Sequence, residues 1–128
     1  MNLKPLHVLL AVTLFAISGC ATGMPRAELH ARLRQQPPPL VIDVRTQGEF
    51  DRDHLPGALH IPFYSIGYGL AKLESAQKKD IVLYCEHGPR ALIAGLMLYV
   101  SGYAHIYTLD GHMRAWRTDG FPVEKSAH

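Results

Sequence analysis

The side chain in this sequence with the clearest capacity for chemistry is the thiol of Cys85. Cys85 directly follows Ile81–Tyr84, an apolar run that predicts a buried strand, and residues 86–89 separate it from Arg90, where a helix is predicted to begin. A loop between a parallel strand and a helix directs backbone N–H groups and the helix N-terminus toward whatever lies in the loop. This positive field is expected to lower the pKa of the Cys85 thiol and to enrich its nucleophilic thiolate. The alternative is that Cys85 is a small buried residue that completes a strand.

The rest of the loop supplies candidate substrate-binding groups, which are Glu86, His87, Gly88, Pro89 and Arg90. Gly88 permits the backbone angles of a tight cradle, and Pro89 suits the start of a helix. Arg90 is expected either to bind an anionic substrate or to lock the loop, and both roles stay open. Glu86 either points to solvent or faces the pocket, where it would repel anionic substrates and disfavour the thiolate. His87 is expected to be exposed, with tuning of the thiol as the alternative.

The segments that must position this loop alternate between predicted strand and predicted helix. Strands are predicted at 40–44, 58–61, 81–84 and 105–109, and helices at 25–36, 66–78, 91–101 and 112–119, with a short helix started by a capping box, Thr46-x-x-Glu49. This alternation predicts an α/β fold, a single domain with a central parallel sheet and helices on both faces. Ligands bind beyond the carboxyl ends of the strands in such sheets, which is where Cys85 is placed. Asp43 and Arg45, at the end of the first predicted strand, are interpreted as a structural pair near the site.

The composition of the chain excludes several classes of protein. Of its 128 residues 48% are hydrophobic and only two are cysteines, which excludes a wholly disordered chain and a disulfide-stabilised scaffold. The formal net charge of +2 provides no electrostatic surface for nucleic acid, so none is expected as a partner. Cys85 and His87 have the spacing of two metal ligands, but no second pair completes a zinc-like site, so we expect no metal and no cofactor. The apolar stretch Ala91–Val100 is interpreted as a core helix, with no exposed apolar stripe beyond what the core requires.

The first twenty residues resemble an export signal rather than part of a fold. A short positive start precedes Leu6–Ile17, a twelve-residue apolar run that fits the core of a signal peptide and is too short for a permanent membrane anchor. The run leads into Ile17-Ser18-Gly19-Cys20, which resembles the lipobox of bacterial lipoproteins. The resemblance implies that residues 1–19 are removed, that Cys20 becomes a lipidated N-terminus, and that 20–24 form a short tether to a domain spanning 25–128. An ordinary signal peptide with an incidental Cys20 is the alternative.

The same resemblance implies a location. It predicts an exported bacterial lipoprotein that two or three acyl chains on Cys20 hold stably at the periplasmic face of a membrane. Ala21, rather than an aspartate, follows Cys20 and resembles the arrangement that permits transfer to an outer membrane, which is favoured if the host is Gram-negative. With Cys20 lipidated, Cys85 would be the only free thiol.

Four ordered segments of the sequence resemble the signatures of a single-domain rhodanese. They are Ile42–Arg45 followed by Glu49-Phe50, His54–Pro62, the loop Cys85–Arg90, and Asp110-Gly111 followed by Trp116 and Gly120–Val123. Each segment alone is a weak signal, but four in the right order are specific. The sequence departs from the pattern at His112, which replaces the usual second glycine. Four histidines near strand ends or turns are interpreted as structural: His54, His60, His105 and His112.

The resemblance implies sulfurtransferase activity. Cys85 would attack the sulfane sulfur of a donor such as thiosulfate or a persulfide, release sulfite in the first case, and become a persulfide held by loop N–H groups. The persulfide sulfur would then pass to a thiol, to cyanide or to a protein acceptor of unknown identity. One nucleophile that carries the transferred atom between two half-reactions is the usual logic of covalent catalysis.

The length of the Cys85 loop distinguishes sulfurtransferase activity from phosphatase activity. Cysteine phosphatases use Cys, five residues and Arg to surround a whole phosphate, whereas the seventh residue from Cys85 is Ala91. The shorter ring disfavours phosphatase and arsenate-reductase activity. Two alternatives stay open, which are a catalytically weak rhodanese-like binding module and a thiol-redox role through a mixed disulfide.

Overall fold

The computed structural model describes residues 21–73 and 77–127 of the chain. Their strands are β1 (Thr22–Met24), β2 (Leu40–Asp43), β3 (Leu59–His60), β4 (Ile81–Tyr84) and β5 (Ile106–Leu109). All are parallel to their neighbours and form one sheet in the order β1-β5-β4-β2-β3. The predicted signal peptide and the predicted lipid on Cys20 lie outside the described residues.

The helices follow the strands in the order that the sequence predicts. They are α1 (Arg26–Arg32), α2 (Gln47–Arg52), α3 (Ile66–Leu73), α4 (Pro89–Val100) and α5 (His112–Thr118), and a short 3₁₀ turn (Phe63–Ser65) precedes α3. The capping box at the start of α2 is present, since Thr46 Oγ1 accepts from the Glu49 amide while Glu49 accepts from the Thr46 amide. Together with the sheet order, these elements confirm the predicted α/β class with helices on both faces.

Two apolar layers sandwich the sheet because strand side chains alternate between its faces. Ile42 and Leu83 face one layer, which contains residues of α3 and α4. Val41 and Val82 face the other, which contains residues of α1 and α5, including the fully buried Trp116. This double cover explains why β4 is apolar at every position.

Strand β1 corrects a prediction. Residues 20–24 were expected to form a tether, but Thr22–Met24 pair in parallel with β5, with Thr22 opposite Tyr107 and Met24 opposite Leu109. Met24 is buried in the layer beside α1. A three-residue segment is too short for its periodicity to show in the sequence, and its conformation comes from pairing with the edge of β5.

Helix α1 is shorter than the predicted span of 25–36. Beyond Arg32 the backbone continues in tight turns, with the Arg34 amide bonded to the Ala31 carbonyl and the Gln35 amide to the Arg32 carbonyl. These i to i−3 bonds belong to a tightened last turn, and the prolines at 37–39 prevent any extension.

Helix α4 corrects a second prediction. Its buried residues are Ala91, Ala94, Gly95 and Leu98. Only this side of the helix therefore belongs to the core, whereas the whole helix was expected to. Its other side exposes six apolar residues, namely Leu92, Ile93, Leu96, Met97, Tyr99 and Val100. The expectation of no exposed apolar stripe was therefore wrong. None of the helices within the described residues has the length and apolar content needed to cross a bilayer.

Candidate active site

Cys85 lies at the carboxyl edge of the sheet, directly after β4, in the loop that leads to α4. Its Sγ accepts a hydrogen bond from the Gly88 amide at 2.9 Å, so the loop closes back on the sulfur. Gly88 immediately precedes α4 and has a φ of +132°, which L side chains rarely adopt. A Cβ there would also lie 3.2 Å from His112 Nε2. The glycine is therefore required by the backbone and by the close approach of His112.

The environment of Cys85 favours its thiolate. Burial raises the pKa of the Cys85 thiol, but hydrogen bonds from the His112 imidazole and from the amides of Ala91 and Gly88 outweigh burial and lower the pKa to about 7. The same residue is fully buried in the layer beside α4. The Cys85 thiol is therefore expected to ionise near neutral pH although its side chain is buried.

His112 supports the nucleophile from α5. Its Nδ1 accepts a hydrogen bond from the Cys85 amide at 3.2 Å, and its Nε2 lies on the side of Gly88. The backbone of His112 has a φ of +54°, in the left-handed region that favours glycine. This conformation explains why a glycine is usual at that point in the signature. The residue that was interpreted as structural thus contacts the nucleophile directly.

The first amides of α5 hold the backbone of the Cys85 loop. Met113 N–H donates to the Cys85 carbonyl at 3.0 Å, and Arg114 N–H donates to the Glu86 carbonyl at 3.3 Å. These amides have no partners within a helix, so the loop carbonyls satisfy them. Helix α5 therefore holds the carbonyl groups of the loop, while the amides of Gly88 and Ala91 point at the sulfur.

Arg90 pairs with Glu49 rather than standing free. The guanidinium binds both carboxylate oxygens, with Nη1 at 2.7 Å and Nη2 at 3.0 Å. The hydrogen bond from Arg90 lowers the pKa of Glu49 to about 2, with help from the Thr46 amide and hydroxyl. Of the two roles open for Arg90, this geometry favours locking the loop to α2, because its fork is already occupied.

Glu86 neither points freely to solvent nor remains an unpaired charge beside the thiol. Its carboxylate accepts from Arg45 Nη1 at 3.1 Å and from Arg117 Nη1 at 2.9 Å. Burial raises the pKa of Glu86, but Arg117 and then Arg45 outweigh burial and lower it. Glu86 is therefore paired with two guanidinium groups, which it shares with Asp43 and Asp53.

The same cluster joins the predicted pair Asp43 and Arg45 to the site. Both side chains are buried, and Arg45 Nη2 lies 2.8 Å from Asp43 Oδ2. Asp53 completes the cluster by binding Arg117, at 2.9 Å from Nε. Asp43 is in register with Tyr84, the residue before Cys85, so the cluster braces the carboxyl edge of the sheet.

The remaining loop residues lie on the outside. His87 and Pro89 are exposed, and Pro89 is the first residue of α4, one residue earlier than the predicted start of the helix at Arg90. A cavity of about 370 Å³ adjoins the loop and is lined by Glu49, Arg52, Asp53, Glu86 and Arg117. No group of three or more possible metal ligands occurs in the described part of the chain.

Four residues of the site were not predicted as such. Glu49 was seen only as a cap, and nothing in the sequence indicated that Asp53 and Arg117 would meet Glu86, because they are distant in the chain and joined only by the fold. His112 did carry a signal, which was its occurrence at a position where a glycine is usual.

The chain is similar in sequence to proteins of one known family. The rhodanese-like domain model matches residues 26–119. A protein named sulfurtransferase from Allochromatium vinosum is 30% identical over 95 residues, covering 74% of this chain and 87% of that protein. Thiosulfate sulfurtransferase GlpE from Pseudomonas syringae is 34% identical over 85 residues, covering 66% of this chain and 77% of that protein.

Solved structures share the fold. The Alr3790 protein from Anabaena sp. superposes with a TM-score of 0.73 at 26% identity, covering 80% of this chain and 82% of that one. A rhodanese-like domain protein from Staphylococcus aureus gives 0.72 at 24% identity, covering 83% and 99%. The chain therefore belongs to the rhodanese-like sulfurtransferase family.

Proposed function

We propose that this protein transfers a sulfane sulfur through a persulfide on Cys85, with thiosulfate as a donor. The observation that carries the proposal is the loop geometry around the sulfur. The Gly88 amide donates to Cys85 Sγ at 2.9 Å, and the thiol has a pKa of about 7. The Cys85 thiolate can act as the nucleophile. The amides that bond to it can then stabilise the anionic persulfide that forms on it.

The two half-reactions balance without an added oxidant or reductant. In the first, Cys85 Sγ attacks the outer sulfur of thiosulfate, a new S–S bond forms, and the donor S–S bond breaks. Sulfite leaves with the electron pair of the broken bond. In the second, cyanide or an acceptor thiolate attacks the terminal sulfur of the persulfide. Thiocyanate or a new persulfide leaves, and the Cys85 thiolate is restored.

The pairing of Glu86 weakens its repulsion of an anionic donor. Its carboxylate is bonded to Arg45 and Arg117, and because these two guanidinium groups also pair with Asp43 and Asp53, the cluster keeps one formal negative charge. The amides of the loop, rather than the side chain of Arg90, are assigned to bind the transferred sulfur, since Arg90 is engaged with Glu49. His87 lies exposed at the outer rim of the loop.

Steady-state kinetics test this function. Wild type and Cys85→Ser are assayed for thiocyanate formation at varied thiosulfate and cyanide concentrations. Parallel double-reciprocal lines for wild type and no turnover for the variant are expected, since each substrate meets a different form of the enzyme. Absence of thiocyanate with wild type would overturn thiosulfate as the donor and leave the binding-module alternative.

We also propose that the protein is a lipoprotein anchored through Cys20. The lipobox-like sequence supports this, and β1 begins only two residues later, at Thr22. A lipid on Cys20 would therefore hold the domain at a membrane with almost no intervening chain. Mass spectrometry of the N-terminal peptide tests the proposal. A diacylglyceryl and acyl modification on Cys20 is expected, and an unmodified Cys20 or a cut elsewhere would contradict it.

A further inference from the structure

We propose that the exposed side of α4 rests on the surface of a lipid bilayer, an inference that builds on the proposed anchor at Cys20. This α4 face consists of Leu92, Ile93, Leu96, Met97, Tyr99 and Val100, whose exposed fractions range from 38% to 74%. The opposite side of the helix packs on the sheet. A helix that is apolar all round is ordinarily covered on every side, so the α4 face requires an occupant.

The α4 face has the composition of a membrane-contacting surface. No charged residue occurs between Ala91 and Val100. The 3₁₀ turn and α3, which contact or adjoin α4, add two exposed tyrosines, Tyr64 at 65% and Tyr68 at 90%. Tyrosine is favoured at the boundary between lipid and water because its ring is apolar and its hydroxyl is polar. An apolar helix face with tyrosines beside it fits the interfacial region of a bilayer.

The position of the chain at Ala21 specifies the bilayer rather than another occupant. Ala21 packs against the apolar layer that contains the inner side of α4. Its Cβ lies 3.8 Å from the point that a Cβ on Gly95 would occupy. A lipid on Cys20 would thus enter the membrane beside α4, and there is no tether that would let the domain turn away, because β1 starts at Thr22.

Docking through the α4 face would also orient the active site. The Cys85 loop connects directly to the first turn of α4 at Pro89. A helix lying along the membrane surface would hold this loop close to the headgroups. The sulfur acceptors that reach it would be molecules at the membrane surface.

Fluorescence of the lipidated full-length protein in vesicles of phosphatidylethanolamine and phosphatidylglycerol tests the inference. A bimane label is placed by Leu96→Cys in a Cys85→Ser background, with Gln35→Cys, on the far side of the sheet from α4, as the control. Blue-shifted emission, protection from aqueous iodide and quenching by acyl-chain nitroxide lipids are expected at 96 only. Val100→Glu should abolish the blue shift and the nitroxide quenching of the label at 96. Val123→Glu makes the same change at an exposed valine outside α4 and should leave both signals unchanged.

The outcomes separate the docking from the proposals on which it rests. An aqueous label at 96 on a protein whose Cys20 carries lipid would overturn the docking alone. A blue-shifted label that nitroxide lipids do not quench, together with a cross-linked dimer, would overturn it in favour of a second copy. An unmodified Cys20 would overturn the anchor and the docking together. Sulfur transfer by wild type in the same vesicles reports separately on the proposed activity.

Discussion

His112 Nδ1 accepts a hydrogen bond from the amide of Cys85 at 3.2 Å, from a backbone held at a φ of +54°. The first residue of α5 is thereby fixed against the nucleophile. Holding a non-glycine residue in the left-handed region costs about 1–2 kcal/mol. The hydrogen bond from the Cys85 amide is the compensating interaction. The His112 side chain also lowers the pKa of the Cys85 thiol, against the effect of burial.

Replacing His112 should separate its electronic effect from its structural one. His112→Ala removes the imidazole, so the pKa of Cys85 should rise from about 7 toward the ordinary cysteine value of about 8.5. His112→Asn tolerates the left-handed backbone and retains an acceptor for the Cys85 amide, so it should preserve stability better while still raising the pKa. The pH dependence of iodoacetamide alkylation measures the first effect and urea unfolding the second. An unchanged alkylation profile in both variants would contradict this role.

The pH dependence of sulfur loading should follow ionisation of Cys85. Because the thiolate is the nucleophile and the pKa is about 7, the loading rate should fall about tenfold for each pH unit well below 7 and level off above about pH 8. Stopped-flow mixing with thiosulfate between pH 5 and 9 measures the profile. A midpoint near that of an ordinary cysteine would show that the loop does not activate the thiol.

Arg117 should matter more for a charged reagent than for a neutral one. Its guanidinium balances Glu86 and Asp53, so Arg117→Gln leaves more negative charge beside the loop. Loading by thiosulfate should slow by roughly threefold to tenfold at low salt, with a smaller effect at high salt, because the interaction is partly exposed and screened. Alkylation by neutral iodoacetamide should change little. Arg114→Gln removes one charge from an exposed position of the same helix and serves as the matched control; equal effects of the two changes would refute a local role.

The pair of Glu49 and Arg90 should make stability depend on acid. The pKa of Glu49 is lowered from 4.5 to about 2, so the pair contributes stability that is complete above about pH 5 and is lost as the pH falls toward 2. Glu49→Gln should cost about 1–2 kcal/mol at pH 7, since solvent screens part of the interaction, and much less near pH 2.5. Urea unfolding at both pH values measures this. Glu28→Gln, at an exposed ion pair of 3.8 Å with Arg32, should change stability by less than about 1 kcal/mol at either pH.

Asp43 and Arg45 should be more important for folding than for chemistry. The pair is buried, and Asp43→Asn leaves only Glu86 and Asp53 as anionic partners of Arg45, so the change should destabilise the domain by about 3 kcal/mol. The variant that remains folded should still load sulfur on Cys85. Thermal unfolding followed by circular dichroism, with thiol alkylation as a check on the site, measures both quantities. A stable variant that fails to load would place the pair in the chemistry.

Much of the fold followed from local sequence patterns. The apolar run Ile81–Tyr84 and the capping box at Thr46 led to correct elements because each signal is contained within a few residues. Strand β1 was missed because its conformation depends on the edge of β5, which lies far away in the sequence. The exposed side of α4 was missed because hydropathy alone does not distinguish a helix covered by protein from one whose outer side is free.

The candidate site was also predictable only where its residues are close together in the sequence. The Cys85 loop was predictable because its six residues are contiguous, whereas the pairing of Glu86 with Arg117 and of Arg90 with Glu49 spans 31 and 41 positions of the chain. Those long-range pairs decide what the charges do. They pair Glu86 with arginines and engage Arg90 with Glu49, two outcomes that residue types alone left open.

Intact-mass spectrometry of the protein after incubation with thiosulfate tests the central claim most directly. The account predicts a gain of one sulfur atom on wild type, located on the peptide that contains Cys85, absent in Cys85→Ser and discharged by cyanide as thiocyanate. No gain of sulfur on a folded protein whose Cys85 is readily alkylated by iodoacetamide would contradict the persulfide mechanism with thiosulfate as donor.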